Sequence, residues 1–160
     1  KVEYDFVMGY KKAWKEAPYS PVFVTTDAIV ECSGHILVIT RKDSPGKGLY
    51  ALPGGFLKSG ERIADGAIRE LREETGIRTS QDDLKESLHN THVFDHPGRS
   101  LRGRTITHGH HFKLKGELPE IKAGDDAASC EWIPIMDIGK LENRFYEDHA
   151  HIIQYFLQSR

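Results

Sequence analysis

Apolar residues recur along this 160-residue chain with two different periods, which predict the order of its helices and strands. Near-helical spacing predicts a short amphipathic helix over residues 3–15, and Pro18 and Pro21 then break the chain. A second helix is predicted over 62–75, where an apolar stripe ends before Gly76. A third is predicted over 145–158, with Ile152, Tyr155 and Phe156 facing inward.

Runs rich in Val, Ile, Thr and Phe predict the β-strands. The predicted strands cover 22–31, 36–41, 88–94, 105–114 and 130–135, and residues 49–53 are predicted to be a short extended segment. Ser33-Gly34 between the first two predicts a hairpin, and Gly54-Gly55 predicts the start of a loop that runs to Glu61. The alternation of strands and helices predicts one domain of the α/β class.

Composition limits the partners. The net charge of -2 argues against a general nucleic-acid binder, because no global positive field attracts phosphate backbones. No apolar run approaches the roughly 20 residues that cross a bilayer, so we expect no membrane partner. Cys32 and Cys130 lack metal-site spacing and predict reduced thiols in the cytoplasm. Because the chain begins at Lys1 rather than Met, we expect it to be either a domain excised from a longer protein or a processed chain.

Acidic residues on the second predicted helix carry the strongest chemical signal. Glu70 and Glu74 are four residues apart and project from one helical face, and Glu73 borders it. Such like charges repel each other unless a cation compensates them, and Mg²⁺ prefers oxygen ligands. Glu61 can join from the preceding loop, and Arg69 can pair with Glu73. The alternative is a solvated acidic helix face.

This segment, GFLKSGERIADGAIRELREETGI over 55–77, resembles the signature of the Nudix hydrolases. The resemblance implies an α/β/α sandwich with a mixed sheet over 21–160, preceded by an arm or linker over 1–20. It implies hydrolysis of a nucleoside diphosphate derivative with Mg²⁺, or with Mn²⁺ in its place. Glu70, Glu74 and Glu73 are the expected metal ligands, joined by a backbone carbonyl of Ala51 or Gly54. Glu73, Glu61 and Arg69 are expected to act in catalysis.

A further catalytic carboxylate is expected outside the signature. The resemblance favours Glu131, which directly precedes a strand tryptophan, Trp132. Asp125 and Asp126 are alternatives, although paired aspartates are also common in turns.

The remaining sequence is similar to the Nudix domain of bifunctional nicotinamide-mononucleotide adenylyltransferase/ADP-ribose pyrophosphatase proteins. The similarity rests on HVFDHPGRSLRGRTITH over 92–108, FVTTDAIV over 23–30 and PGKGLYALPGGF over 45–56. It implies cleavage of ADP-ribose to AMP and ribose 5-phosphate, a place in NAD metabolism, and a preceding nucleotidyltransferase domain. By analogy with related enzymes, we expect a homodimer.

Cationic and aromatic residues suggest how such a substrate is held. Arg99, Arg102 and Arg104 form a local cluster whose guanidinium groups suit diphosphate oxygens, unless they make ordinary ion pairs. Arg41 is a further candidate, with Lys47 as a weaker one. Phe56 is the candidate for stacking on adenine, although it, Tyr50 and Phe94 are equally typical of a core. The histidines at 108, 110 and 111 fit a strand surface or pocket better than a zinc site.

Two other functions compete with this prediction. Some regulators of NAD metabolism combine a Nudix-like domain that senses ADP-ribose with a winged helix, and they share a stretch like RGRTITH. The intact acidic segment favours catalysis, and we expect no DNA-binding module of about 70 residues within this chain. The other alternative is a Nudix enzyme for another substrate, such as a damaged nucleoside triphosphate or a diadenosine polyphosphate.

Overall fold

A computed structural model describes residues 1–124 and 127–159, and its centre is a mixed β-sheet of seven strands. The strands are β1 Val22–Cys32, β2 His35–Arg41, β3 Tyr50–Ala51, β4 Gly54–Phe56, β5 Leu88–Phe94, β6 Arg104–Leu114 and β7 Ala127–Pro134. The α-helices are α1 Val2–Ala13, α2 Ile63–Thr75, α3 Gln81–Ser87 and α4 His149–Gln158. Two short 3-10 helices, Ile135–Asp137 and Gly139–Arg144, lead from β7 toward α4.

The sheet is built around β1, which pairs in parallel with β6 along its whole length. All other strand pairs are antiparallel, and β5 lies beyond β6. On its other side, β1 pairs with β4 near its start and with β2 near its end, and β2 also pairs with β3 and β7. The chain between β3 and β4 lies beside the middle of β1, where the Pro53 carbonyl accepts a hydrogen bond of 2.8 Å from the Ala28 amide.

Helices cover both faces of the sheet, because alternate residues of β1 point to opposite sides. Ala28 and Val30 pack with Ile68 and Leu71 of α2 in one apolar cluster. On the other face, Ile29 packs in the cluster that contains Ile152, Ile153 and Phe156 of α4. The predicted α/β/α sandwich with a mixed sheet is confirmed.

Most predicted elements are present, including the hairpin of β1 and β2, but three predictions are wrong. Gly54-Gly55 does not open a loop, because both residues belong to β4 and pair with β1. The last helix begins at His149 rather than at 145. Tyr155 does not face inward: it is 37% exposed and stacks on His92, with ring centroids 4.1 Å apart.

Two further differences have local causes. Helix α3 was not predicted because Leu84 is its one buried residue, so its sequence has no apolar stripe; Ser80 caps it by accepting a hydrogen bond from the Asp83 amide. Strand β7 begins at Ala127, three residues before the predicted start.

Helix α1 lies at the surface and buries none of its residues. Its contacts with the sheet are aromatic, since the rings of Tyr10 and Trp14 lie 6.3 Å and 5.2 Å from the ring of Phe23. Glu3 also accepts a hydrogen bond from the Gly46 amide.

Both cysteines are free thiols, as expected. Across residues 1–124 and 127–159, none of the helices combines the length and the apolar character needed to span a bilayer.

Candidate functional site

A cleft of about 410 Å³ opens between the β4 end of the sheet, helix α2 and the start of α4. Its lining mixes both charges with aromatic rings. Among the lining residues are Asp27, Arg41, Gly54, Gly55, Phe56, Arg69, Glu70, Glu74, Arg99, Arg102, Tyr146, Glu147 and His149. Residues that are distant in sequence therefore meet at one concave surface, which is typical of a ligand site.

Arg69 organises the acidic face of α2. Its guanidinium binds both carboxylate oxygens of Glu61 at 2.7 and 2.9 Å, Glu70 at 2.8 Å and Glu73 at 3.1 Å. The predicted pair with Glu73 is therefore present, and the same arginine also holds two further glutamates. The hydrogen bonds from Arg69 lower the pKa of Glu61 to about 2. Arg69 thus fixes the orientation of three carboxylates around its own charge.

Glu74 lies deeper than the other glutamates and is 5% exposed. One of its carboxylate oxygens accepts a hydrogen bond of 2.8 Å from the Gly54 amide. Burial nevertheless raises the pKa of Glu74 to about 8, and repulsion from Glu70 and Asp27 adds to the shift. Burial also raises the pKa of Glu70. These two carboxylates would become easier to ionise beside a positive charge.

Positions 54 and 55 must be glycine, because neighbouring atoms lie where a Cβ atom would stand. A Cβ atom on Gly54 would stand 2.1 Å from the Thr26 carbonyl oxygen and 2.6 Å from Asp27 Oδ1. A Cβ atom on Gly55 would stand 2.7 Å from Glu70 Oε1. Side chains at these positions would push β4 away from both β1 and α2, so the two glycines bring the sheet edge against the glutamates.

The chemistry of these donors fits a hard divalent cation. Glu61, Glu70, Glu73 and Glu74 supply carboxylate oxygens, which Mg²⁺ and Mn²⁺ prefer. Within the described residues, no three acidic, histidine or cysteine side chains already surround a common point, since Arg69 now draws three of the glutamates toward itself. Of this set, buried Glu74 and half-buried Glu70 most need a compensating charge.

Of the expected backbone ligands, Gly54 lines the cleft. Ala51 lies in β3 with 1% of its surface exposed and is not among the cleft-lining residues. Ala51 is therefore the less suitable of the two.

Two of the predicted substrate-binding arginines present their charge to the cleft. The Arg102 guanidinium lies 4.9 Å above the Phe56 ring, and its buried Nε atom bonds to no described residue. The Arg41 guanidinium lies 4.2 Å above the Tyr146 ring, while its Nε donates to the Pro45 carbonyl at 2.6 Å. Phe56 is 36% exposed, so its ring is accessible from the cleft.

Arg99 differs from its expected role as a free clamp. Its side chain is 4% exposed and forms a two-pronged ion pair with Asp148, at 2.8 and 2.9 Å. It also donates to the Thr105 hydroxyl at 2.9 Å. These bonds use three of its five N–H donors, so Arg99 fastens the loop before β6 to the start of α4.

Apart from Ala51, four expected site residues do not line the cleft: Glu61 and Glu73, which bond to the lining residue Arg69, and Arg104 and Glu131. Arg104 donates to the Asp95 carbonyl oxygen and does not line the cleft with Arg102. Glu131 is exposed on β7 and interacts with Tyr50 rather than with the glutamates of α2. The side chain of Trp132, its neighbour, packs in the α2 cluster, so alternation along the strand directs Glu131 to the opposite face. The alternatives Asp125 and Asp126 lie outside the described residues.

The histidines on β6 do not form a zinc site. His111 is fully buried and bonds to Glu31 at 3.1 Å, and His110 bonds to the His108 carbonyl oxygen at 3.0 Å. Tyr50 and Phe94, the other aromatic candidates, pack against the α4 cluster instead of lining the cleft.

Reasoning from the sequence missed several cleft residues, among them Asp27, Tyr146, Glu147 and His149. Asp27 had a signal that could have been used, because an acidic residue inside an apolar strand is unusual. Glu147 has a φ of +45°, a strained conformation that often occurs at functional sites. Tyr146 and His149 depend on how the chain enters α4, which no local pattern indicates.

Comparison with known proteins is consistent with this geometry. The NUDIX domain family matches residues 23–156. An ADP-ribose pyrophosphatase of Methanocaldococcus jannaschii is 36% identical over 135 residues, which are 84% of this chain and 73% of that protein.

Two solved structures extend the comparison. A bifunctional NMN adenylyltransferase/ADP ribose pyrophosphatase of Francisella tularensis, complexed with AMP and a manganese ion, is 46% identical with a TM-score of 0.96. The match covers 98% of this chain and 47% of that one, so the chain spans about half of the Francisella protein. The NUDIX domain of Shewanella oneidensis NrtR, complexed with ADP ribose, shares the fold at 19% identity and a TM-score of 0.73, covering 95% of this chain and 97% of that one. With a family match over 23–156 and a glutamate-bearing helix at the cleft, this chain belongs to the Nudix hydrolase family.

Proposed function

We propose that this domain hydrolyses the diphosphate of ADP-ribose to AMP and ribose 5-phosphate with Mg²⁺, which Mn²⁺ can replace. The observation that carries the proposal is the cleft, which brings buried Glu74 and half-buried Glu70 together with Arg102, whose guanidinium lies over the Phe56 ring. A diphosphate needs both positive charge and a cation, and an adenine needs an apolar face. The names of the Methanocaldococcus and Francisella relatives and the AMP and manganese in the latter structure support this choice.

Different side chains bind the cation, the diphosphate and the adenine ring. Glu70 and Glu74, assisted by Glu61 and Glu73, would hold the cation, with Gly54 as the backbone ligand. Arg102 and Arg41 bind diphosphate oxygens, and Phe56 stacks on the adenine ring. When bound, the cation would neutralise the diphosphate and acidify a water molecule.

The proton of the attacking water goes to a glutamate carboxylate, for which Glu73 is the better candidate, because hydrogen bonds from Arg69 lower the pKa of Glu61 to about 2. Arg69 holds both in place through hydrogen bonds of 2.7 to 3.1 Å. The water oxygen attacks phosphorus as the bond to the bridging oxygen breaks, which leaves two phosphate monoesters.

A substrate panel with and without Mg²⁺ tests the proposal. ADP-ribose, a deoxynucleoside triphosphate and diadenosine tetraphosphate are each incubated with the domain, and products are identified by chromatography. We expect AMP and ribose 5-phosphate from ADP-ribose, and none after chelation of the metal. Pyrophosphate from the triphosphate as the fastest reaction would replace the proposal with a nucleotide-sanitising activity. Tight binding of ADP-ribose without turnover would replace it with sensing.

We also propose that the domain works in the cytoplasm, in NAD metabolism, within a dimeric protein that has a nucleotidyltransferase domain before residue 1. The match of 98% of this chain to about half of the Francisella protein supports the fused arrangement. Two free thiols support a reducing compartment.

A further inference from the structure

Asp27 and His149 form a buried polar pair that the chemistry described so far does not use. Asp27 lies in the middle of β1, and His149 is the first residue of α4. Both line the cleft, and both side chains are 8% exposed. Polar groups buried to this degree normally have hydrogen-bond partners, so the partners of each atom are informative.

The hydrogen bonds of His149 determine which ring nitrogen carries its proton. The backbone amide of Leu52 donates to Nδ1 at 2.9 Å. A backbone N–H can only donate, so Nδ1 must accept through its lone pair and the proton must be on Nε2. His149 therefore presents a donor at Nε2. Because Leu52 uses its lone pair, the ring is unsuited to take a proton from substrate or water.

Asp27 presents the complementary group. Its Oδ2 accepts a hydrogen bond of 2.5 Å from the Thr107 hydroxyl. Its Oδ1 lies 3.8 Å from His149 Nε2, which is too long for a hydrogen bond. Neither Oδ1 nor Nε2 bonds to any other side chain or amide in the described part of the chain. A donor and an acceptor are thus held side by side without satisfying each other.

A hydroxyl group matches this arrangement, because it can accept from Nε2–H and donate to Oδ1 with the same oxygen. A phosphate or carbonyl oxygen would satisfy the histidine but meet the acidic side chain without a proton to give. An ammonium group would satisfy Asp27 and oppose the histidine donor. The chemistry of the pair therefore selects a hydroxyl.

The position of the pair indicates which hydroxyl. Asp27 is the register partner of Gly54, whose amide binds Glu74, so the pair lies beside the glutamates assigned to the diphosphate. In ADP-ribose, a ribose flanks the diphosphate on each side. Resting on the proposed function, we propose that Asp27 and His149 bind a ribose hydroxyl of the substrate and so select a sugar diphosphate over a simple phosphate chain.

Two substitutions of His149 separate this role from a structural one. His149→Asn places an oxygen near the former Nδ1, which preserves the bond from Leu52 but removes the donor in the cleft. His149→Gln places an amide nitrogen near the former Nε2, which preserves the donor but loses the bond from Leu52. Calorimetric affinity for ADP-ribose is measured in EDTA to prevent turnover, with a thermal melt of each variant.

We expect His149→Asn to weaken ADP-ribose binding about 10-fold, the usual effect of one lost hydrogen bond, and His149→Gln to stay within about 3-fold of wild type. The reverse order would mean that His149 only supports the backbone, and would overturn the proposal. Unchanged binding by both variants with a lower kcat in Mg²⁺ would assign the pair to a water molecule and also overturn it.

The affinity for ADP, which lacks the second ribose, identifies the sugar. If His149→Asn weakens only ADP-ribose binding, the hydroxyl belongs to the second ribose; if it weakens ADP binding equally, the hydroxyl belongs to the adenosine. Either result supports the proposal that Asp27 and His149 bind a sugar hydroxyl.

Asp27→Asn is the independent variant if His149→Asn does not fold. Thr107 would hold the amide oxygen, so an NH₂ group would face Nε2 and the acceptor would be lost. We expect a similar loss of ADP-ribose affinity, and wild-type affinity would overturn the proposal. If wild-type protein neither binds ADP-ribose in EDTA nor cleaves it in Mg²⁺, the proposed function fails as well; if wild type does either and the folded variants match its affinity or KM, only the sugar-hydroxyl pair is wrong.

Discussion

The two walls of the cleft are built in different ways. The wall formed by β4 and α2 comes from one continuous segment, 54–74, in which two glycines place the sheet edge against glutamates held by Arg69. The opposite wall comes from separate parts of the chain: β1 supplies Asp27, the loop before β6 supplies Arg102, and α4 supplies His149.

The walls also differ in how their charges are satisfied. On the α2 wall, one arginine serves three carboxylates, and Glu74 is buried with a raised pKa. On the opposite wall, Arg99 and Asp148 neutralise each other below the surface, and Arg102 faces the cleft. The first arrangement suits a cation and the reaction, whereas the second suits the recognition of a particular substrate.

The largest expected effect is on the α2 wall. Glu74→Gln replaces a carboxyl group that can ionise beside a cation with a neutral amide of similar size. We expect turnover of ADP-ribose to fall about 100-fold or more, since even outer partners of a metal site are worth about 10–100-fold. The thermal melt should stay close to wild type, because Gln keeps the acceptor for the Gly54 amide. Steady-state kinetics in Mg²⁺ measure this, and Glu86→Gln on the exposed face of α3 is the control. Wild-type turnover would remove Glu74 from the metal site.

Arg69→Gln tests whether the arginine substitutes for a cation. Its removal leaves Glu61, Glu70 and Glu73 without their shared partner, so in EDTA we expect a loss of about 3 kcal/mol in the free energy of unfolding. Saturating Mg²⁺ should recover more stability in the variant than in wild type, because it relieves the same repulsion. Urea denaturation in both conditions measures the difference. An equal effect of Mg²⁺ on both proteins would contradict the idea.

On the opposite wall, Arg102 and Arg104 form a matched pair, since both came from one predicted cluster and only Arg102 lines the cleft. Arg102→Ala should raise the KM for ADP-ribose about 10-fold, because a charge-assisted contact and its packing on Phe56 are lost. Arg104→Ala should leave KM unchanged. Equal KM values in the two variants would mean that a position lining the cleft does not decide which arginine binds the substrate.

The smallest effect concerns the β6 scaffold behind this wall. Burial lowers the pKa of His111 and of His110 below the ordinary value of 6.5. Above pH 6.5 both histidines are neutral in the folded and in the unfolded protein, so their contribution to the free energy of unfolding is constant. Below it the unfolded chain takes up protons first, so stability should fall as the pH drops from 6.5 toward 5.

Urea denaturation across this range should show a lower free energy of unfolding at pH 5 than at pH 6.5. His111→Gln should make the decline shallower, whereas His151→Gln, at an exposed position, should not. An unchanged slope in His111→Gln would mean that this histidine does not contribute.

Much of the fold could be predicted because periodicity is local. The strands of the β1–β2 hairpin and helix α2 have apolar patterns that match their buried faces. Helix α3 escaped prediction because Leu84 alone faces the core, and β4 did so because glycines carry no apolar pattern.

The sequence by itself determined the α2 wall, because residues three and four apart on a helix must share a face wherever the helix lies. Only the tertiary structure decided the opposite wall. Which arginine lines the cleft, which one is neutralised by Asp148, and why Glu131 lies elsewhere depend on strand register and on where α4 begins. Asp27 and His149 are 122 positions apart and meet because the central strand and the final helix pack together, and no local period encodes that contact.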